Sequence, residues 1–350
     1  MARISFRSTT VADEPAIRAL LEEAHGAPSG YPMFESRHLY WKYWEPRAGW
    51  QGSRSYVLTR EGAIVAHAAV VPAVCNWGSD RRQVLHVIDW AARAQARGAG
   101  NTLMQHIGTL GDAILTSDGD HAALRLLPFL GFAESTTVVT QYVRPIRPLL
   151  YLTGADAPRW RLAARSVRNT LWALRAPAGS ERTSCARLIA AQELPSVSIP
   201  WPAPKFGTAV LERSAPAMRY WLQCPAAEME LYAVEHGSET QGYFLLAFAP
   251  GQARIADCWL DSDAGDAWEA LVHLAVRQAA RHRGVAEVAV LCSEPLLAGA
   301  LRRCGFHARG SRPLLVRATN GMRLPAAGIR IQMLDDDAAY RHSGSRFFWA

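Results

Sequence analysis

Apolar residues follow two different periods along the chain, and each period predicts one kind of element. Alternating apolar and polar positions predict strands, whereas apolar positions three and four residues apart predict helices. The predicted order is strand 4–8, helices 11–25 and 34–44, strands 53–60, 63–71 and 84–91, helix 98–110, strand 113–116, helix 120–130 and strand 137–143. Because short turns join consecutive strands in an antiparallel meander, this order predicts an α+β fold.

The second half of the chain repeats the order of the first. Tyr40-Trp41 is matched by Tyr220-Trp221, and Gly131-Phe132 by Gly305-Phe306. The predicted elements there are strands 228–234, 242–248 and 254–260, helix 265–283, strand 287–291, helix 295–303 and strand 313–318. We therefore predict a duplication with an N-terminal domain at 1–147, a connector at 148–185 and a C-terminal domain at 186–350.

The connector contains a predicted helix, 157–174, with an apolar stripe among arginines. The stripe consists of Trp160, Ala164, Val167, Leu171 and Leu174. Such a stripe most often packs on its own domain, which is the interpretation favoured here. The alternative is weak peripheral contact with an anionic membrane surface, without stable insertion.

Composition narrows the class of protein. The 350 residues are 49% hydrophobic and 20% charged, which indicates a soluble globular protein rather than a disordered or collagen-like one. The first residues are too polar for a signal peptide and the apolar stretches are too short to span a bilayer, so we expect a cytoplasmic protein.

Six cysteines without a C-x-x-C pair argue against a zinc knuckle or a disulfide framework. All but Lys42 and Lys205 of the 38 basic residues are arginine, and the net charge of +7 suits anionic ligands.

The segment from 84 to 110 contains the most informative pattern. A strand ends at residue 91, and Gln95-x-x-Gly98-x-Gly100 then opens a helix. Free amides at a helix start and glycines that allow close approach make an anion site. The Rossmann pattern needs another glycine where Leu103 stands, and no G-x-x-x-x-G-K-[ST] loop is present.

The Gln95-x-x-Gly98-x-Gly100 segment resembles the Q/R-x-x-G-x-G/A pyrophosphate motif of the GNAT acyltransferase superfamily. The helix 120–130 with its terminal Gly131-Phe132 resembles that family's second signature. The two motifs cover about residues 3 to 145, and the duplicated layout resembles the tandem-GNAT proteins. The resemblance implies two GNAT-like domains, each with a central mixed, mostly antiparallel sheet flanked by helices.

The resemblance also implies a reaction. An acyl-CoA, most often acetyl-CoA, is the co-substrate, and an amine, less often a hydroxyl, of a small-molecule acceptor attacks its thioester in a ternary complex. A strand amide stabilises the oxyanion, in a gap where the next strand splays away. No metal and no nucleic acid are expected, and the oligomeric state is left open. The implied CoA-binding residues are Ala91, Ala92, Arg93, Gln95, Arg97, Gly98, Ala99, Gly100, Asn101 and Thr102.

Two residues of the strand 84–91 are candidate catalytic bases. Asp89 and His86 lie just before the motif, on opposite faces if the strand is regular. For each, a purely structural role is the alternative. The chain departs from the family where a tyrosine commonly protonates the leaving thiolate, because Leu127, and Leu301 in the second copy, stand at that position.

The second copy carries Asp261, Asp263 and Asp266 where the first carries the motif. Carboxylates repel a diphosphate, so we expect this copy not to bind CoA there. Two other functions stay open. The chain could be a non-catalytic acyl-CoA-binding or scaffold protein, as the missing tyrosine suggests, or a Fem-like tRNA-dependent aminoacyl transferase, as the duplication and the positive charge suggest.

Overall fold

The computed structural model describes residues 4–77, 80–117, 121–153, 158–177, 184–204, 208–319 and 328–350. They belong to two compact units, each composed of several chain segments. Unit one comprises Met1–Thr137, Pro204–Glu212 and Pro313–Ile329. Unit two comprises Val138–Ala203, Arg213–Arg312 and Arg330–Ala350.

Strands and helices follow one another in a mixed order along the chain. The strands are β1 Ile4–Ser8, β2 Ser55–Arg60, β3 Ala63–Trp77, β4 Asp80–Ala92, β5 Ala113–Thr116, β6 Ala133–Pro145, β7 Ser184–Ile189, β8 Ala209–Leu211, β9 Glu228–His236, β10 Glu239–Ala249, β11 Gln252–Leu260, β12 Glu287–Cys292, β13 His307–Ala318 and β14 Ile329–Arg330. The helices are α1 Glu14–His25, α2 Ser36–Tyr43, α3 Ala99–Ile107, α4 His121–Leu126, α5 Arg159–Arg175, α6 Ala215–Leu222, α7 Gly265–Ala279 and α8 Pro295–Arg303. Short 3-10 turns occur at Val11–Asp13, Pro32–Phe34, Leu127–Leu130, Pro148–Thr153 and Met333–Asp335.

Unit one is a mixed sheet in which β1, β2, β3 and β4 form the antiparallel meander that the sequence predicts. Strand β5 then pairs in parallel with β4, and residues 315–318 of β13 pair antiparallel with the other edge of β5. Helix α3 packs on this sheet through Leu103, Met104 and Ile107, which share a core with Leu85 and Val70. The predicted α+β class with a mostly antiparallel sheet is confirmed.

Unit two has the corresponding order of strands. β9, β10 and β11 are antiparallel, β12 is parallel to β11, and β6 pairs antiparallel with β12. Strand β7 adds to the other edge through β9. The helices α7 and α8 follow β11 and β12, as α3 and α4 follow β4 and β5. The element order therefore agrees with the predicted repeat, while the duplication itself stays a prediction.

The last strand of each half of the chain pairs with a strand of the other half. Strand β6, from the N-terminal half, pairs with β12, and β13, from the C-terminal half, pairs with β5. The predicted limits 1–147, 148–185 and 186–350 follow the chain in order, whereas the compact units combine segments from both halves. The difference arises because an open strand edge accepts any strand of suitable length, and a local pattern does not say which one.

Several element boundaries differ from the predicted ones. Strands β3 and β4 are longer than expected, α7 ends at Ala279, and β7, β8 and β14 were not predicted. The predicted helix 120–130 ends as an α-helix at Leu126 and continues as a 3-10 turn containing Pro128. Proline lacks the amide that an α-helix would need there.

Helix α5 packs on its unit with a different face from the apolar stripe that was expected to pack. Its buried residues are Leu162, Ser166 and Asn169, whereas Trp160 and Leu174 of the predicted apolar stripe are exposed. The favoured interpretation, that the stripe packs on its own domain, is therefore wrong. No helix within the described ranges is long and apolar enough to cross a membrane.

Candidate functional site

A β-bulge interrupts β4 at Asp89, close to its carboxyl end. Ala69 pairs with Ile88 and His67 with Ala91, so β4 has one more residue than β3 between these pairs. Asp89 takes the extra position with a φ of 51°, a left-handed conformation that aspartate tolerates better than most residues. The predicted arrangement of His86 and Asp89 on opposite faces assumed a regular strand, and β4 is not regular here.

The pairing between β4 and β5 ends before the bulge. Val84, Leu85 and His86 pair with the β5 residues Ala113, Ile114 and Leu115 in turn, and the two strands pair no further. Strand β4 continues six residues beyond His86, to Ala92. Among the described residues, its edge facing β5 is therefore unpaired over this stretch, as the gap implied by the family resemblance would require.

The start of α3 presents free backbone amides. Gly98, the residue before the helix, has a φ of 79° and makes no side-chain cap. The Thr102 amide donates to Gly98 O at 3.0 Å, whereas the amides of Gly98, Gly100 and Asn101 have no acceptor among the described residues. Such amides at a helix start, together with the helix dipole, favour an anion.

Gly100 lies against the side chain of Trp90. Trp90 Nε1 donates to Gly100 O at 3.1 Å, and a Cβ at Gly100 would lie 3.2 Å from the same nitrogen. Gly98, in contrast, has open space where a Cβ would be. The glycines therefore have separate roles: Gly98 supplies the left-handed turn, and Gly100 allows the helix to approach Trp90.

A cavity of about 350 Å³ lies at this corner of unit one. Its volume is within the range of about 300–1,000 Å³ that is usual for small-molecule sites. Seven of the ten predicted CoA-binding residues line it, and Gln95, Ala99 and Thr102 do not. The lining residues are Ala24, His25, Trp90, Ala91, Ala92, Arg93, Ala96, Arg97, Gly98, Gly100, Asn101, Ala123 and Leu126.

The two arginines of the turn have different surroundings. Arg93 Nη1 lies 2.7 Å from Glu23 Oε2, and Arg93 Nε donates to Ile64 O at 3.2 Å. Arg97 is exposed and has no ion-pair partner in the part of the chain that is described. Arg93 therefore attaches the end of β4 to α1 and β3, while Arg97 leaves a positive charge at the cavity.

The Asp89 carboxylate is held by two residues of α2. Its Oδ2 lies 2.6 Å from Lys42 Nζ and accepts a hydrogen bond of 2.7 Å from Tyr43 Oη. Burial opposes ionisation of Asp89, but the attraction of the Lys42 ammonium and the hydrogen bonds from Lys42 and Tyr43 outweigh it, so the pKa of Asp89 is lowered to about 2. Asp89 is consequently an ionised and weakly basic carboxylate at neutral pH.

Two histidines lie near the bulge. His67 is fully buried, with Nε2 at 2.9 Å from Ser55 Oγ and Nδ1 at 3.0 Å from Asp89 O. Burial, which the nearby Asp89 only partly offsets, lowers the pKa of His67 to about 4. His86 is buried at the end of the β4–β5 pairing. Neither His86 nor Asp89 lines the cavity.

The position of the missing tyrosine belongs to the core. Leu127 is buried in the same apolar cluster as Leu103 and Phe132, while Leu126 lines the cavity. Gly131 ends the 3-10 turn with a φ of 85°. Leu301 is buried in unit two as well.

The corresponding turn of unit two is acidic. Asp261 and Asp263 precede α7, and Asp266 lies in its first turn. No group of three or more metal-ligating side chains occurs among the residues that the structure describes.

Neither a family model nor a curated protein sequence matches the chain. Solved structures do match it. A GCN5-related N-acetyltransferase from Anabaena variabilis aligns with a TM-score of 0.58 and 12% identity, over 91% of this chain and 73% of that one. The chain has the GNAT fold.

Two further solved structures agree. A GCN5-related N-acetyltransferase from Kribbella flavida has a TM-score of 0.54 and 12% identity, and the alignment covers 91% of this chain and 71% of that one. Saccharomyces cerevisiae N-myristoyltransferase, solved with bound myristoyl-CoA, has a TM-score of 0.58 and 11% identity, with 90% and 80% of the two chains covered. At these identities the likeness is one of fold.

Sequence reasoning missed part of the candidate site. It identified the glycine turn and Arg97, but not Lys42, Tyr43 or Trp90. Lys42 and Tyr43 belong to a predicted helix far away in sequence, and only the fold brings them to Asp89. One signal was available, because Lys42 is one of only two lysines in a chain rich in arginine.

Proposed function

We propose that the chain is an acyl-CoA-dependent acyltransferase that transfers an acetyl group to an amine, less readily to a hydroxyl, of a small molecule. The observation that carries the proposal is the cavity at the start of α3. Free amides of Gly98, Gly100 and Asn101 and the exposed Arg97 lie beside it. This set suits the diphosphate of an acyl-CoA, whose negative charge needs donors and no nearby carboxylate.

The open edge of β4 suits the rest of that substrate. Backbone groups near Ala91 and Ala92 can pair with the pantetheine arm, whose two amides resemble a strand. This alignment directs the thioester towards the bulge at Asp89. A backbone amide there can stabilise the oxyanion when the acceptor nitrogen attacks the carbonyl carbon. The carbon–sulfur bond then breaks, the thiolate of CoA leaves, and the attacking nitrogen loses a proton.

The two predicted bases receive different roles in this proposal. Asp89, with its pKa of about 2 and its contact with Lys42, is a weak base and is proposed to hold the bulge. His86 lies where the strands separate, and an unprotonated imidazole nitrogen can accept a proton. We therefore propose His86, acting through a water molecule, as the acceptor of the proton. The thiolate is protonated by water, because Leu127 has no proton to give.

Thermal shift with acetyl-CoA tests the binding step. Gly98→Glu places a carboxylate at the amides and is expected to abolish the shift. Gly62→Glu is the matched control, because Gly62 has a φ of 84° and open space like Gly98 but belongs to the β2–β3 turn. The proposal would be refuted if neither acetyl-CoA nor longer acyl-CoAs raised the melting temperature. It would also be refuted if Gly98→Glu and Gly62→Glu reduced this thermal shift equally.

Release of CoA thiol over a panel of small amines and alcohols tests the transfer step. Binding without release over the whole panel favours the second candidate, a non-catalytic acyl-CoA-binding protein. The observation that favours this candidate is the burial of Leu127 in place of the usual tyrosine. Loss of release in His86→Gln, with binding retained, supports the proposed role of His86.

A further inference from the structure

The strongest feature outside the cavity is the exposed side of α5 in unit two. The helix contacts its unit through Leu162, Ser166 and Asn169, and Ser166 Oγ donates to Pro148 O at 2.9 Å. The packed face is therefore partly polar. Residues on the opposite side of a helix cannot reach the same surface, so they face away from unit two.

This opposite side is apolar. Trp160, Val167, Leu171 and Leu174 follow one another at spacings of seven, four and three, which places them on one helical face. Their exposed fractions are 67%, 65%, 49% and 78%. Leu149 and Leu152, in the 3-10 turn that precedes the helix, are exposed by 74% and 50%. The four large apolar side chains on this helical face form an exposed patch of the kind that marks an interaction surface.

The charged residues of the helix segment itself are all positive. The segment 158–177 contains Arg159, Arg161, Arg165, Arg168 and Arg175, and it contains no Asp or Glu. The Arg161 guanidinium lies 5.1 Å from the centre of the Trp160 ring. On the β13 side, the Arg309 guanidinium lies 5.8 Å from the centre of the Trp172 ring, over which Arg168 also lies at 4.6 Å. Arginines beside an apolar face complement an anionic surface with an apolar interior.

We propose that α5 and the turn before it bind to the surface of an anionic lipid bilayer, with the helix lying in the interface. Trp160, Leu171 and Leu174 enter the boundary between headgroups and acyl chains, and the arginines contact lipid phosphates. A second copy of the chain fits less well, because a symmetric contact of this face brings two sets of arginines together and like charges oppose association. The proposal does not depend on acyl transfer.

Co-sedimentation of the full chain with vesicles tests the proposal. Vesicles of phosphatidylcholine with phosphatidylserine are compared with vesicles of phosphatidylcholine alone, and we expect binding to the former that weakens as salt is added. Leu171→Glu is expected to reduce binding at least tenfold. Its matched control is Leu188→Glu, because Leu188 on β7 is 53% exposed, close to the 49% of Leu171, and lies outside the patch.

Arg161→Gln and Arg175→Gln test the electrostatic part, since each arginine near an anionic membrane strengthens binding about fivefold. Circular dichroism of each variant checks that the helix is retained. Absence of binding to anionic vesicles overturns the proposal, and so does binding that Leu171→Glu leaves unchanged. Sedimentation velocity without lipid tests whether a second copy of the chain covers this face instead. If the chain self-associates, Leu171→Glu abolishes the self-association and no vesicles are bound, the face belongs to a second copy and membrane binding is refuted.

Discussion

Lys42 Nζ lies 2.6 Å from Asp89 Oδ2, and the two side chains are only 3% and 9% exposed. This ion pair joins α2 to the bulge of β4 at the point where β4 has separated from β5. A charge buried without its partner is far more costly than the pair, so each residue requires the other. The pair therefore fixes the conformation of a segment whose φ of 51° is otherwise unfavourable.

Lys42→Met is expected to destabilise the protein by about 3–5 kcal/mol, because it leaves the Asp89 carboxylate buried without a counter-charge. Urea unfolding measures the change. The double variant Lys42→Met/Asp89→Asn removes both charges and should lose less than the sum of the two single losses. Strict additivity of the single losses would show that the two groups do not interact.

Asp89 makes stability depend on acid. Its pKa in the folded state is about 2, against an ordinary value of 3.8, so its contribution is complete above pH 3.8 and is lost as the pH falls towards 2. At about 1.4 kcal/mol per pKa unit, this contribution is about 2 kcal/mol. The free energy of unfolding, measured from pH 6 downwards, should therefore fall less in Asp89→Asn than in the native chain.

Asp13 provides a matched control for this acid dependence. A hydrogen bond from Arg7 lowers the pKa of Asp13 to about 2 as well, despite some opposing burial, but Arg7 is 41% exposed. Salt screens exposed pairs and leaves buried ones largely unaffected. Added salt should therefore reduce the contribution of Asp13 to the pH dependence of stability, measured as the difference between the native chain and Asp13→Asn. It should leave the contribution of Asp89, measured in the same way with Asp89→Asn, unchanged. Equal salt sensitivity would contradict the buried placement of Lys42 and Asp89.

Much of the fold follows from local pattern. The strand β5 and the helix α8 were predicted to the residue, because short buried strands and amphipathic helices have strong signals of their own. The glycine turn before α3 was predicted because its two glycines stand between a strand and a helix, where they allow an anion to approach, and Gly98 takes a left-handed conformation there. The bulge and its ion pair were not predicted, because Asp89 and Lys42 meet through the packing of α2 on β4.

Helix α5 illustrates the limit of pattern in another way. Its periodicity gave the right helix and the right apolar stripe, but the stripe faces away from the unit, and Ser166 and Asn169 are buried instead. A hydrophobic period identifies a face, whereas the surface that meets this face is decided by the rest of the fold. The strands β6 and β13 were themselves predicted, but their pairing with β12 and β5 was not, for the same reason.

Tyr151→Phe is expected to destabilise unit two by about 1.5–3 kcal/mol, because it removes a buried hydrogen bond to a carboxylate. Tyr151 Oη donates to Glu287 Oε2 at 2.6 Å, and Glu287 also accepts from the amides of Trp349 and Ala350. Tyr232→Phe is the control, because its hydroxyl donates at the same distance to the less buried Glu230. Thermal unfolding should show a clearly larger loss for Tyr151→Phe, and equal losses would contradict this account.

Arg97→Gln is expected to weaken binding of acetyl-CoA about fivefold, equivalent to ~1 kcal/mol, because a positive charge at the cavity is removed without loss of packing. Arg97 is exposed, so the melting temperature of the free protein should not change. Arg82→Gln is the matched control, since Arg82 is also an exposed arginine, on β4 and outside the cavity. Titration calorimetry gives the affinity of each variant for acetyl-CoA, and added salt should reduce the difference between the two affinities. If Arg97→Gln and Arg82→Gln bind equally well while Gly98→Glu abolishes binding, the diphosphate is held by the amides of α3 alone and the role of Arg97 is refuted.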